Sequence, residues 1–266
     1  MSVLYLDCGM GAAGDMLAAA LLELLPEEER GPFVEGLNKL GIPGVEFRAE
    51  PSVKCGITGT HMDVRVNGEA EGEGHHHHHH EHEHTHEHGH EHSHEHHHSG
   101  MHDIEHIVNG HLDVPESVKS DILSVYNLIA QAESHAHGVP VTEIHFHEVG
   151  AMDAVADVTA VCLLMDRLAP ERVVASPVHV GCGQVRCAHG ILPVPAPATA
   201  HILTGVPIYG GSIKGELCTP TGAALLKHFA ASFGDMPVMT LERVGYGMGK
   251  KDFEAANCVR AMLGKV

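Results

Sequence analysis

Between Gly74 and Ser99 the chain reads HHHHHHEHEHTHEHGHEHSHEHHH, sixteen histidines in twenty-four residues with mostly glutamate between them. Neutral imidazole is the commonest protein ligand for borderline transition metals. Nitrogen donors without thiolate favour nickel, copper(II) and zinc over magnesium or calcium. The ligands on offer are His75, His76, His77, His78, His79, His80, His82, His84, His86, His88, His90, His92, His94, His96, His97 and His98. At about four to six donors per ion they would satisfy roughly three or four ions. The tract has nothing apolar to bury against the entropy of ordering it, so a disordered metal-binding insertion is expected over 68–100. A purification tag is the plainer reading of the hexahistidine, but a tag stops at a terminus, and this run continues mid-chain as alternating Glu and His.

EIHFHEVGAMDAVADV, Glu143 to Val158, is the densest polar cluster outside the tract. In an extended segment His145 and His147 point the same way, because strand side chains repeat every two residues. Glu148 follows, Gly150 turns the chain, and on the helix expected over Ala151–Leu168 the carboxylates of Asp153 and Asp157 share one face. Two imidazoles and three acids so close together suit a metal site or proton transfer. The plainer reading has Asp153 complementing the helix dipole and the histidines on a solvated edge, which leaves Asp157 unexplained.

Four further motifs carry weaker signals. GCGQVRCAHG brings together Cys182, Cys187 and His189; Cys187 and His189 suit a soft metal or a sulfur-bearing ligand, the alternative being inert buried thiols. GMGAAG, Gly9 to Gly14, matches the dinucleotide fingerprint in letters but lacks an acid at the end of a second strand. What survives is a Gly-rich turn whose amides receive an anion, so Asp7, Gly11, Gly14 and Asp15 are candidate ligand-binding residues. Asp15 as an ordinary helix-start acid is equally compatible. In GELCTPTGAALL, Thr219 caps, Pro220 opens a helix, and Thr221 and Gly222 expose amides that suit phosphate or carboxylate. GYGMGKKDF reads as a flexible glycine turn carrying Lys250 and Lys251.

The elements that must position these groups follow from periodicity. Strands are expected at residues 2–7, Val45–Val53, His61–Val66, Val173–Val180, Val238–Val244 and Cys258–Met262. Helices are expected at Met16–Leu25, Phe33–Leu40, His102–His111, Pro115–His135, Ala151–Leu168, Ala196–Leu203 and from Pro220. Alternating strands and helices argue for an α/β fold, with a lobe at 1–67 and a main lobe at 101–266 that holds the site. The formal charge of −19 comes without basic clusters, and aromatic residues are 4% with no Trp. Nucleic-acid and anionic-membrane partners are thereby disfavoured. Seven cysteines, an odd and scattered number, form no disulfide framework and suit a reduced cytoplasmic protein.

Taken in order, YLDCGMGAAGDM, the His-rich insertion, EIHFHEVGAMDAVADV, GCGQVRCAHGILPVPAPATA, GELCTPTGAALL and GYGMGKKDF resemble the nickel insertion proteins of nickel-pincer cofactor biosynthesis, the LarC family. The resemblance covers the whole chain except the variable tract. It implies a nickel chelatase, a lyase that makes the cofactor of lactate racemase-type enzymes. Nickel is placed into pyridinium-3,5-bisthiocarboxylic acid mononucleotide; two sulfurs bind the metal and a C–Ni bond replaces a ring C–H. It also implies CTP hydrolysis and a divalent ion such as Mn or Mg. Complete members continue into a C-terminal region associated with the nucleotide, so this chain is expected to be the N-terminal part of the active species. Its partners would be that region and a product-accepting racemase-type apoenzyme. A non-catalytic nickel or zinc storage or delivery protein is the alternative, and it would need little beyond the tract.

The tract's ligands have no fixed geometry, whereas cyclometallation needs oriented groups. Deleting residues 75–98 should therefore remove several bound nickel ions, counted by equilibrium dialysis, yet leave insertion intact at saturating nickel. Loss of insertion at saturating metal would make the tract part of the reaction centre.

Overall fold

The computed structural model describes residues 1–70, 100–144, 146, 152–187 and 189–266. Before the His-rich segment come β1 (Ser2–Asp7), α1 (Gly14–Leu22), α2 (Glu27–Leu37), β2 (Val45–Lys54), β3 (Ile57–Val66) and β4 (Glu69–Ala70). After it come α3 (Met101–Gly110), α4 (Glu116–His137), a 3-10 turn at Val141–Glu143, α5 (Met152–Leu168), β5 (Arg172–Ala175) and β6 (Val178–His179). The chain continues through β7 (Gly181–Cys182), β8 (Gln184–Cys187), β9 (Gly190–Pro193), α6 (Pro197–Ile202), β10 (Ile208–Tyr209) and β11 (Gly215–Glu216). It closes with α7 (Pro220–Phe229), β12 (Ser232–Phe233), β13 (Thr240–Met248) and β14 (Cys258–Lys265).

The main sheet runs β12-β5-β1-β14-β13-β3-β2, with β4 added beside β3. The pairs β12–β5 and β5–β1 are parallel, whereas β1–β14 and β14–β13 are antiparallel. A parallel contact between Gly247 and Thr60 joins the β2–β3 hairpin to the rest. Segments on both sides of residues 71–99 thus contribute strands to one mixed sheet, and the fold class is α/β as the periodicity predicts.

Helix α1 is the centre of the molecule. All of its residues except Asp15 are buried, the pattern of an interior helix rather than a surface one. It packs on β13, β3 and β14 and against α5. Contact with the sheet is backbone-close. A Cβ on Gly245 would stand 2.2 Å from the Ala20 carbonyl oxygen, and one on Gly247 would stand 1.8 Å from that of Met16. These glycines therefore belong to β13 and admit a helix, rather than forming the flexible turn that GYGMG suggests. Outside α1, the apolar stripe Val118, Ile122, Val125, Ile129 and Ala132 of α4 is buried as its spacing predicts, and the helix ends at Gly138 with φ of +67°.

Two helices, α1 and α2, depart from their expected bounds by three residues or more at one end at least. α1 begins at Gly14 and gives way to tight turns, Leu24 N–H donating to Leu21 O and Leu25 N–H to Leu22 O. α2 starts at Glu27, not Phe33: Pro26 takes the N-cap position, its carbonyl accepting the Glu29 amide at 2.9 Å, and Glu27, Glu28 and Glu29 fill the first turn. Pro32 is tolerated inside this exposed helix, so it does not mark a boundary.

Glycine removal from a strand interior should gain about 0.5–1 kcal/mol in backbone terms, but overpacking costs about 1–3 kcal/mol. Gly247→Ala should therefore destabilise by about 1–2 kcal/mol in urea unfolding. Gly36→Ala, where a Cβ in α2 meets nothing within 4 Å and no proline follows, should stabilise by up to about 1 kcal/mol.

Candidate functional site

The Gly-rich turn after β1 and the Thr-Pro turn before α7 form one knot. Ala12 N–H donates to Leu217 O at 3.0 Å and Thr219 N–H returns to Ala12 O at 3.0 Å. Gly11 has φ of +84°, and a Cβ there would lie 1.9 Å from Leu217 O. Gly222 is as crowded, 2.1 Å from Ala12 O, and its amide donates to Thr219 Oγ1 at 3.1 Å. Gly11 and Gly222 are thus places where chains cross. Helix α5 closes the third side, because Gly14 lets Asp157 approach to 2.6 Å from where a Cβ would be. The N-termini of α1, α5 and α7 consequently meet at one cleft.

That cleft has a volume of about 550 Å³. Gly14 and Asp15 from α1, Asp153 and Asp157 from α5, and Glu216, Thr219 and Thr221 line it. Lys250, Lys251, Phe253 and Asn257 line it as well. Six candidate residues that are scattered in sequence (Gly14, Asp15, Asp153, Asp157, Thr219 and Thr221) therefore share one wall system. Asp7 is not among the lining residues; its carboxylate is 2.6 Å from Arg260 and accepts the Gly9 amide at 3.1 Å. Cys187 and His189 line an adjoining compartment of about 440 Å³, bordered also by Glu216, Pro220 and Lys251. His145, His147, Glu148 and the sixteen tract histidines lie outside the described residues.

One neighbour carried no sequence signal. His61, from β3, has Nδ1 2.9 Å from Met248 O and 4.0 Å from Asp15 Oδ2. A narrow recess gathers it with Asp15, Asp63, Asp153, Asp157 and Lys250. In the sequence His61 is one polar position in an alternating strand, and only the β13–β3 pairing sets it beside α1. The loop holding Lys250 and Lys251 is braced by Asn257, whose Nδ2 donates to Lys251 O at 2.9 Å, and by Lys54 Nζ, which lies 3.2 Å from Lys250 O.

Burial raises the carboxyl of Asp15; the neighbouring His61, the Met16 amide on its Oδ1 and Lys250 work against that rise. Burial likewise raises Asp153, whose Oδ1 accepts the Ala154 amide at 2.9 Å. Tyr126, fully buried, has its phenol pushed well up by burial and then by Asp153 and Asp157. The nearby thiols are inert: burial pushes Cys8 up to about 12 and raises Cys218 well above its ordinary range. Among the described residues no three His, Cys, Asp or Glu side chains already converge as a metal-holding set. No helix among them is long and apolar enough to cross a membrane.

An acid whose folded value is raised holds its proton more readily when folded than when unfolded. Its ionised form therefore costs stability once pH climbs past the ordinary value near 3.8, and in full above the raised value. Asp153→Asn should accordingly melt at a higher temperature than the parent at pH 7. The difference should fade as pH falls through the carboxyl range, measured by thermal unfolding across a pH series.

The nickel insertion protein family matches residues 4–266. The pyridinium-3,5-bisthiocarboxylic acid mononucleotide nickel insertion protein of Clostridium kluyveri is 42% identical over 100% of this chain and 62% of its own length. The protein of the same name from Desulfitobacterium hafniense is 39% identical over 100% of the chain and 59% of its own length. A putative nickel insertion protein of Geotalea daltonii is 37% identical, over 100% and 61% respectively. The chain thus spans about three fifths of the length of these relatives. No solved structure matches. A match running almost from end to end, through every segment that builds the cleft, shows that this chain belongs to the nickel insertion protein family.

Proposed function

We propose that this chain carries the cleft in which nickel is inserted into pyridinium-3,5-bisthiocarboxylic acid mononucleotide. The supporting observation is the cleft's mixed chemistry: carboxylates of Asp15, Asp153 and Asp157 together with the ammonium groups of Lys250 and Lys251 and the α7 N-terminus. The substrate calls for both kinds of partner, having a phosphate at one end and a cationic ring that must meet a divalent metal at the other. Lys250, Lys251 and the amides at the start of α7 receive the phosphate. The carboxylates receive the cationic side.

In the reaction the two sulfurs bind nickel(II), the ring carbon gives its electron pair to the metal, and the C–H proton departs. One C–H bond breaks, one C–Ni bond forms, and there is no net oxidation. Asp153 is the proton acceptor in this reading, since a carboxylate raised by burial is a stronger base than a solvated one. We propose His145, His147 and Glu148 as catalytic residues alongside Asp153 and Asp157 on the strength of their residue types and spacing. We further propose that the full activity is CTP-dependent, uses Mn or Mg, supplies lactate racemase-type enzymes and takes place in the cytoplasm. In this reading the nucleotide is bound by sequence outside residues 1–266.

Mixing the nickel-loaded chain, joined to the part of the Clostridium kluyveri relative that lies beyond the match, with the thiolated mononucleotide, CTP and Mn tests the reading by mass spectrometry. An insertase yields a ligand of one nickel more and one proton less that survives removal of the protein; a store yields none. Asp153→Asn should lower the rate by about a hundredfold or more, the scale of general-base catalysis. Calorimetric titration of residues 1–266 with CTP and Mn should show no saturable binding, while nickel binding persists.

A further inference from the structure

Successive side chains of a strand alternate between the two faces of a sheet. In the main sheet Leu4, Leu6, Val173, Ala175, Ala261 and Leu263 join the core around α1. The residues between them, Val3, Tyr5, Val174 and Met262, form a separate small cluster on the opposite face. Met239 packs against this cluster, and among the described residues none of its members comes from a helix.

The segment 234–239, between β12 and β13, is what covers it. It passes from an edge strand across β5, β1 and β14 to β13, a distance of about 19 Å at the usual strand spacing. The steps from Phe233 to Thr240 reach about 25 Å at most, so the segment is drawn nearly straight and is one chain thick. Tyr5 Oη donates to Gly234 O at 3.4 Å, and a Cβ on Gly264 would stand 3.1 Å from Met239 Sδ. So thin a strap buries the cluster and leaves apolar surface outside it. Val238 is 96% exposed, and Met236 and Leu241 are each 52% exposed. Val244, which pairs with Met262 and so shares its face, is exposed as well. A bulge between Leu241 and Arg243 turns both Leu241 and Val244 outward. Met1 and Val266 are exposed at the end of the adjoining β1–β14 ladder. Single exposed apolar side chains are ordinary, but a group gathered on one side of a sheet marks a contact surface. The ion pair of Lys265 with Glu242, at 2.6 Å, gives it a polar rim.

The lengths of the relatives say what covers this surface. The match takes in all of this chain but 62% of the Clostridium kluyveri protein, so about two fifths of that protein lies beyond it. Here the two ends of the match are together, the Met1 amino group donating to Val266 O at 3.1 Å. Residues joined to either end therefore start at this corner of the sheet, beside the exposed apolar group. We infer that the outer face of the sheet, with Met236, Val238, Leu241 and Val244 at its centre, is the docking surface for the region that the longer relatives carry beyond the match. A second copy of the chain fits it less well. A stable dimer of separate chains engages about 20–30 residues a side, whereas a tethered region at about millimolar local concentration docks on a smaller patch. The inference rests on family membership and on the relatives' lengths, and it goes beyond the insertion chemistry proposed above.

The test joins the chain to the part of the Clostridium kluyveri relative beyond the match and compares its hydrogen exchange with that of residues 1–266 alone. Amides of residues 235–239, which lie outside every strand, should exchange about tenfold more slowly in the joined protein. Val238→Asp with Leu241→Asp, both at exposed positions, should abolish that slowing while the amides of α1 exchange as in the parent. Ile191→Asp, comparably exposed on β9 and away from the patch, should leave the slowing intact. An unprotected strap in the joined protein, or protection that survives the double variant, would overturn the surface. So would protection in residues 1–266 alone that grows with protein concentration, which makes a second copy the occupant. Nickel transfer is read separately in the same joined protein. Docking without transfer sinks the insertion reading alone, and transfer with an unprotected strap sinks this inference alone.

Discussion

Backbone contact between α1 and the strands beneath it is the constraint from which the rest of the architecture follows. Ordinary helix–sheet packing keeps backbones apart by the thickness of two side chains. Here Gly245 and Gly247 remove one of those layers, and Ala18, Ala19 and Ala20 thin the other. The same economy recurs at Gly14 against Asp157 and at Gly222 against Ala12. Because the approaches at Gly222, Gly245 and Gly247 are to backbone oxygens and that at Gly14 is to a side chain from its Cβ outward, the starts of α1, α5 and α7 are held in a fixed mutual position. Helix N-termini carry partial positive charge, so the meeting of these helix ends makes one electropositive focus out of weak individual effects.

Into that focus the sequence inserts carboxylates. Each helix end offsets only about 0.3–1 kcal/mol of the cost of a nearby anion, less than burial exacts from an uncompensated charge. The raised carboxyls of Asp15 and Asp153 record the imbalance. The cleft is therefore a place the fold would be more stable without, the usual sign of a position shaped for a ligand rather than for packing. A cationic ligand would relieve the imbalance, and its binding would appear as stabilisation of the folded chain.

Much of this was legible before the structure. The burial stripe of α4, the Thr219–Pro220 helix start and the pairing of Asp153 with Asp157 all follow from local periodicity and capping. What sequence could not supply was non-local. Glycines in GYGMG look the same whether they flex or admit a helix, and only the position of α1 decides between them. The two glycine- and threonine-rich turns read as separate anion sites because nothing in either announces that Ala12 and Thr219 share hydrogen bonds. His61 is silent for the same reason: its neighbours come from α1 and β13 through sheet pairing. Asp7 is a further case: its ion-pair partner Arg260 comes from a strand far along the chain, which nothing near Asp7 announces.

The pairing of β1 with β14 has a consequence for how the molecule comes into being. Asp7 and Arg260 are 253 positions apart, and the Met1 amino group meets the Val266 carbonyl at 3.1 Å. A growing polypeptide leaving the ribosome exposes β1 and the greasy α1 long before their partner strand exists. Loop closure over such a span is slow, and sheets with distant partners fold late. The nascent chain must therefore keep an apolar strand-and-helix segment from aggregating while it waits, which invites chaperone capture. Until β13 and β14 arrive there is also no cleft, so half-made chains cannot present its assembled carboxylate wall to a metal ion.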